Sequence, residues 1–144
     1  MRETTHDPDA LRVDRLRRTG LAVTRPRLKV LEVLEHATGH HLSVDDIVAT
    51  LGDQGISLPR ASVYNVVRDL AGVGLVMQAD VGPGRALYEV AVEWHHHFVC
   101  RRCGQVVDVP CVEGSKPCLA TDVPGLAIDE AQVIFRGLCA QCVD

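Results

Sequence analysis

Large aromatic side chains are nearly missing from this chain: two phenylalanines, two tyrosines and one tryptophan among 144 residues. A core must therefore be assembled from Val, Leu, Ile and Ala, and lobes that bury so little area apiece gain from a metal staple or a dimer interface. No apolar run is long enough to cross a bilayer, and the opening Met-Arg-Glu-Thr-Thr-His-Asp-Pro-Asp carries no apolar leader core. These absences predict a cytoplasmic protein with no membrane partner. A formal net charge of −4 argues against a generally basic nucleic-acid coat. No His-Glu-x-x-His stretch is present, so the frame of a zinc hydrolase is missing and no enzyme is expected.

The charge that is present is unevenly placed. From residue 12 to 29, Arg12, Arg15, Arg17, Arg18, Arg25, Arg27 and Lys29 stand against Asp14 alone, while the part after residue 80 is acidic. Such a segment is either a local DNA-binding arm or a solvated helix face.

Helix signals follow in order. Asp7-Pro8 opens a first helix with Leu11, Leu16 and Val13 on its apolar side, stopped by Gly20. Thr24 caps a second, with Pro26 in its first turn and Val30, Leu31, Val33 and Leu34 inward. Ser43 caps a third, with Asp45 and Asp46 in its first turn and Ile47, Val48 and Leu51 inward. A fourth is expected over Leu58 to Leu70, with Val63, Val66, Val67 and Leu70 on one face and Tyr64, Asn65 and Arg68 largely on the other. Two strand-like runs, 75–80 and 86–90, flank Gly82-Pro83-Gly84-Arg85, a strong turn signal. Helices followed by such a hairpin describe a winged helix-turn-helix, with Arg85 near a backbone phosphate at the wing tip. Tyr64, Asn65 and Arg68 are of the types that read base edges.

The expected fold is α+β: a lead over 1–8, a winged-helix DNA-binding domain over 9–90, a hinge at 91–93, and a small α/β dimerisation domain over 94–144 with a structural zinc site. Within the last, strands are expected at 97–99, 105–109 and 127–138, with a loop from 110 to 125 between them.

That second domain holds the metal chemistry. Cys100-x-x-Cys103 and Cys139-x-x-Cys142 are two knuckles drawn from distant parts of the chain. Four thiolates close the tetrahedral shell of Zn(II), and in a reducing cytosol this outweighs a disulfide pair or a redox motif. Cys111 and Cys118 fall outside that set, either as inert loop thiols or as a reversible, oxidant-sensitive pair.

Taken together, Thr24-Arg25-Pro26-Arg27, His41-Leu42-Ser43-Val44-Asp45-Asp46-Ile47, Ala61-Ser62-Val63-Tyr64 and His95-x-His97-x-x-Cys100-x-x-Cys103-Gly104 resemble, in order, the ferric uptake regulator (Fur) family of repressors. The segment Asp108-Val109-Pro110-Cys111 with Cys118 is similar to the peroxide-responsive repressors of the CatR, FurA and PerR type. The resemblance implies a homodimer that binds palindromic double-stranded operator DNA. It implies a regulatory Fe(II) or Mn(II) held by His41, Glu89, His95, His97 and Asp108, and peroxide-driven oxidation at His41 or His95. Arg18, Arg25 and Arg27 would hold phosphates or the minor groove, with Ser62, Tyr64, Asn65 and Arg68 on the recognition helix. Asp108 in place of Glu is similar to peroxide sensors, whereas Glu89 is the choice of iron-responsive members. Trp94 and Glu130 stand where many members carry histidines, so the additional metal site of those members is not expected. His40 and His96 neighbour ligands without an assigned role. The function implied is a peroxide-sensing, metal-dependent repressor of peroxide-defence genes; an iron-responsive or zinc-responsive repressor without oxidant sensing is the alternative.

Overall fold

The computed structural model describes residues 7–37, 41–91, 93–114, 116–119 and 121–143; His40 and Val92 of the expected hinge lie outside the described residues. Four helices come first. Helix α1 (Pro8–Thr19) starts where the Asp7 side chain accepts the Asp9 N–H, and ends at Gly20, whose φ of 81° few other residues adopt. Helix α2 (Arg25–His36) is capped by Thr24. Helix α3 (Val44–Asp53) has a full capping box: the Asp46 N–H donates to Ser43 Oγ at 3.1 Å and the Ser43 N–H to Asp46 Oδ2 at 2.9 Å. Helix α4 (Arg60–Gly72) begins two residues later than the periodicity suggests, because Pro59 holds Leu58 extended and itself becomes the cap. Leu16, Val30, Leu31, Val33, Leu34, Ile47, Leu51, Val63, Val67 and Leu70 merge into one buried cluster, an aliphatic core as the composition requires. Leu11, expected inward, is exposed.

The inward position on α1 goes instead to Arg12, whose side chain is only 7% exposed. Its Nε donates to Glu35 Oε2 at 2.6 Å and its Nη1 to Asp9 Oδ1 at 2.7 Å, while Arg15 reaches Glu35 Oε1 at 2.8 Å. Burial alone would lower the Arg12 pKa; the hydrogen bond and charge of Glu35 more than reverse this, and it rises. Arg12 therefore belongs to the α1–α2 joint and not to a DNA-facing arm. Glu35→Gln leaves this guanidinium with Asp9 as its one remaining carboxylate among those named here. It should lower unfolding free energy by about 1–3 kcal/mol, the scale of hydrogen bonds to a charged group, read as a lower urea midpoint at unchanged slope.

Strands β1 (Val76–Gly82) and β2 (Arg85–Val90) pair as a hairpin through Pro83-Gly84. Leu42 and Tyr88 form an isolated antiparallel bridge, exchanging N–H···O bonds of 3.0 and 2.7 Å. Strands β3 (His95–Cys100), β4 (Val106–Pro110) and β5 (Ile134–Gly137) form a second sheet in the order β4-β3-β5, with β3–β4 antiparallel and β3–β5 parallel. β5 is far shorter than the expected 127–138: only four residues find a ladder partner on six-residue β3. The chain divides into two compact units, 1–78 with 86–90 and 79–85 with 91–144, so the hairpin tip is counted with the second unit. All helices of the described residues lie in the first unit; described residues of the second form strands, bends and turns. No described helix is long and apolar enough to cross a membrane.

Candidate metal centres and nucleic-acid interface

The four knuckle cysteines come together at one end of the second sheet. Cys100 closes β3, and Gly104 at φ 76° turns the chain so that the Gly104 N–H reaches the Cys100 carbonyl at 3.0 Å. The parallel register Cys100↔Gly137 brings Cys139 alongside, and the Cys139 N–H points at Cys100 Sγ at 3.4 Å. All four sulfurs lie within 4.8 Å of one another, and Cys103 Sγ is 3.7 Å from Cys139 Sγ. A tetrahedron with Zn–S bonds of about 2.3 Å has edges of about 3.8 Å, so this spacing fits zinc. Backbone N–H groups of Cys103 and Cys139 pull the Cys100 thiol down to about 6, whereas hydrogen bonding with Cys139, then burial, pushes Cys142 up to about 12. One sulfur is thus drawn toward the thiolate form, while Cys103 and Cys142 are pushed toward the thiol, whose protons a bound cation would displace.

The nitrogen and oxygen candidates are arranged separately in each unit. In the first, the antiparallel Leu42–Tyr88 bridge sets the next residues, His41 and Glu89, opposite each other, with His41 Nε2 3.2 Å from Glu89 Oε2. In the second, His97 is the direct cross-strand partner of Asp108, and His95 lies two residues along on the same face. Asp108 Oδ1 is 3.3 Å from His95 Nε2 and 3.6 Å from His97 Nε2. His95 Nδ1 is 2.8 Å from the Glu93 carbonyl, which can only accept, so Nδ1 carries the proton. In the neutral ring Nε2 then turns a lone pair toward a carboxylate, an arrangement that a cation between them resolves. These donors suit Fe(II), Mn(II) or Zn(II).

Helix α4 buries Val63, Val66, Val67 and Leu70 and turns out Tyr64, 46% exposed, with Asn65 and Arg68; Ser62 is half-buried. Arg18, Arg25 and Arg85 are exposed. Arg27 is otherwise engaged: it donates to the Ala22 carbonyl at 2.7 Å and to Asp69 Oδ2 at 3.0 Å, tying α2 to α4.

Cys111 and Cys118 are joined as a disulfide, so they are not inert loop thiols. Glu130 accepts from Lys116 and Gln132, each at 3.1 Å, and the Lys116 ammonium sits 4.2 Å from the centre of the Trp94 ring. His96 is buried, with Trp94 edge-on to its ring. β3 begins two residues before the expected 97, and its alternation sets His96 apart from its neighbours.

Residues 18–116 match the profile of the ferric uptake regulator family. The transcriptional regulator FurA of Mycobacterium tuberculosis is 40% identical over 131 residues, covering 90% of this chain and 88% of that one. The ferric uptake regulator of Pseudomonas aeruginosa, solved with manganese, superposes with a TM-score of 0.69 at 26% identity over 90% of this chain and 98% of that one. PerR of Streptococcus pyogenes, described as a peroxide sensor, aligns with a TM-score of 0.50 at 23% identity over 95% of this chain and 94% of that one, a likeness of fold alone.

Proposed function

Because the chain belongs to the ferric uptake regulator family of metal-responsive transcriptional repressors, we propose that it is a homodimeric, peroxide-sensing repressor of palindromic operators. Zinc in the four-cysteine site would hold the second unit together. Fe(II) or Mn(II) would take His41 and Glu89 from the first unit with His95, His97 and Asp108 from the second. The proposed division keeps 9–90 as the reading head, 91–93 as the hinge and 94–144 as the pairing lobe, all in the cytoplasm. The observation carrying this reading is the His95 lone pair and the His97 ring converging on one Asp108 oxygen.

Fe(II), when held there, would let hydrogen peroxide pass one oxygen to a ligand imidazole, the other leaving as water. The chain would offer two such rings, His41 and His95, one in each unit. An oxygenated imidazole is a poorer donor, so the grip on the ion would weaken and the operator would be released. Support for oxidant sensing comes from Asp108, and for plain iron response from Glu89 and from the iron-uptake names of relatives. A gel shift with Mn(II), with Fe(II), and with Fe(II) plus peroxide decides between them. Release only in the last, with +16 Da on a peptide containing His41 or His95, supports sensing; undisturbed binding supports the iron-responsive reading.

On DNA, Arg18 and Arg25 would hold phosphates, and Ser62, Tyr64, Asn65 and Arg68 would face the major groove; Arg27 would contribute only by leaving Asp69. Tyr64→Ala should weaken operator binding by about 1–3 kcal/mol, the scale of one base contact, with little change in melting temperature because Tyr64 lies outside the buried core cluster.

A further inference from the structure

We propose that His96, Cys111 and Cys118 form a third metal site, which takes Zn(II) when the two cysteines are reduced and releases it when they pair.

His96 is 7% exposed and belongs to neither of the other two groups of candidate ligands. Strand alternation turns it to the face of β3 away from His95 and His97. There a ring nitrogen and the two sulfurs all lie within 4.8 Å of one another. Trp94 meets the ring edge-on with centroids 6.0 Å apart. The Val133 N–H lies 3.4 Å from Nδ1, a long contact that a bound ion would displace from the ring's one lone pair. One imidazole and two thiolates make a soft donor set that suits a d10 ion, and two thiolates neutralise its charge. Three protein donors leave one position open, as in exchangeable zinc sites. Glu130 takes no part; it is engaged with Lys116 and Gln132.

The disulfide and the ion exclude each other. A dithiol reductant breaks the Cys111–Cys118 bond with two electrons and two protons and becomes a disulfide itself; Zn(II) then displaces the two thiol protons. In reverse, hydrogen peroxide takes two electrons from the thiolates and, with two protons, yields two waters, the protein disulfide and free Zn(II). Cys111 also lines a cavity of about 440 Å³ with Trp94, His95, Asp108, Pro110 and Gly114, so a small oxidant entering there meets this sulfur.

The test is zinc content of the full chain, reduced by a phosphine or oxidised by peroxide, beside Cys111→Ser/Cys118→Ser and His96→Asn. Reduced wild type should hold one more zinc per chain than either variant, and peroxide should remove that equivalent. Cd(II) loading should add thiolate charge-transfer absorbance that the double-cysteine variant lacks. His96→Asn should still form the disulfide, which separates a lost ligand from a lost fold. Equal zinc content in reduced wild type and the double-cysteine variant, with zinc at the four-cysteine site only, overturns the proposal. No operator DNA enters this measurement, so it stands or falls apart from the repressor reading.

Discussion

Cys139→Ser is expected to remove the tightly held zinc and melt the second unit while α1–α4 stay folded. The second unit has little else to hold it: β5 contributes four residues, and residues 121–130 are exposed throughout. The cysteine cluster is where the end of the chain is fastened to β3, through the Cys139 N–H on Cys100 Sγ and the Arg101 N–H on the Gly137 carbonyl at 2.7 Å. Structural zinc supplies roughly 10–16 kcal/mol of apparent binding energy in small metal-folded peptides, more than a sheet of this size gains from burial. Elemental analysis should show the zinc lost, and hydrogen exchange should show protection vanishing from β3 and β5 but persisting in α2 and α4. A variant that keeps its sheet protected without zinc would contradict this.

Asp108→Ala should abolish the gain in operator affinity that Mn(II) confers, a coupling of about 5–150-fold by analogy with other two-site systems. Asp108 is chosen because it is 43% exposed, so its loss leaves the fold intact, whereas the buried His97 is a riskier target. Binding isotherms with and without Mn(II), at one salt concentration because phosphate contacts are salt-dependent, give the ratio directly. Wild-type binding that is indifferent to a chelator would remove the regulatory role of this carboxylate. A ratio preserved in Asp108→Ala would move that role to other ligands.

The first unit was largely legible because its signals are local. Thr24 and Ser43 mark helix starts through bonds to residues three positions on, and the apolar spacing of α4 points to its buried face. What escaped depends on partners far along the chain. Arg12 reads as one cation of a basic run; only Glu35, 23 residues away, makes it an internal residue. Arg27 is likewise diverted by Asp69, 42 residues on. The length of β5 is set by what β3 can pair with, not by its own apolar pattern. The knuckle cysteines announce themselves by spacing, but the seven-residue separation of Cys111 and Cys118 leaves inert thiols and a reversible pair both open and does not tie either to His96.

Strand β3 sorts its candidate ligands by parity. Its odd-numbered imidazoles, His95 and His97, meet a carboxylate; its even-numbered donors, His96 and Cys100, meet sulfur. Hard and soft donor sets thereby stand on opposite sides of a single ribbon with no side chain of it shared between them. One residue inserted between His95 and His97 would turn one of those rings to the opposite side. Every ligand would still be present in the sequence, yet the pair that meets Asp108 would be split.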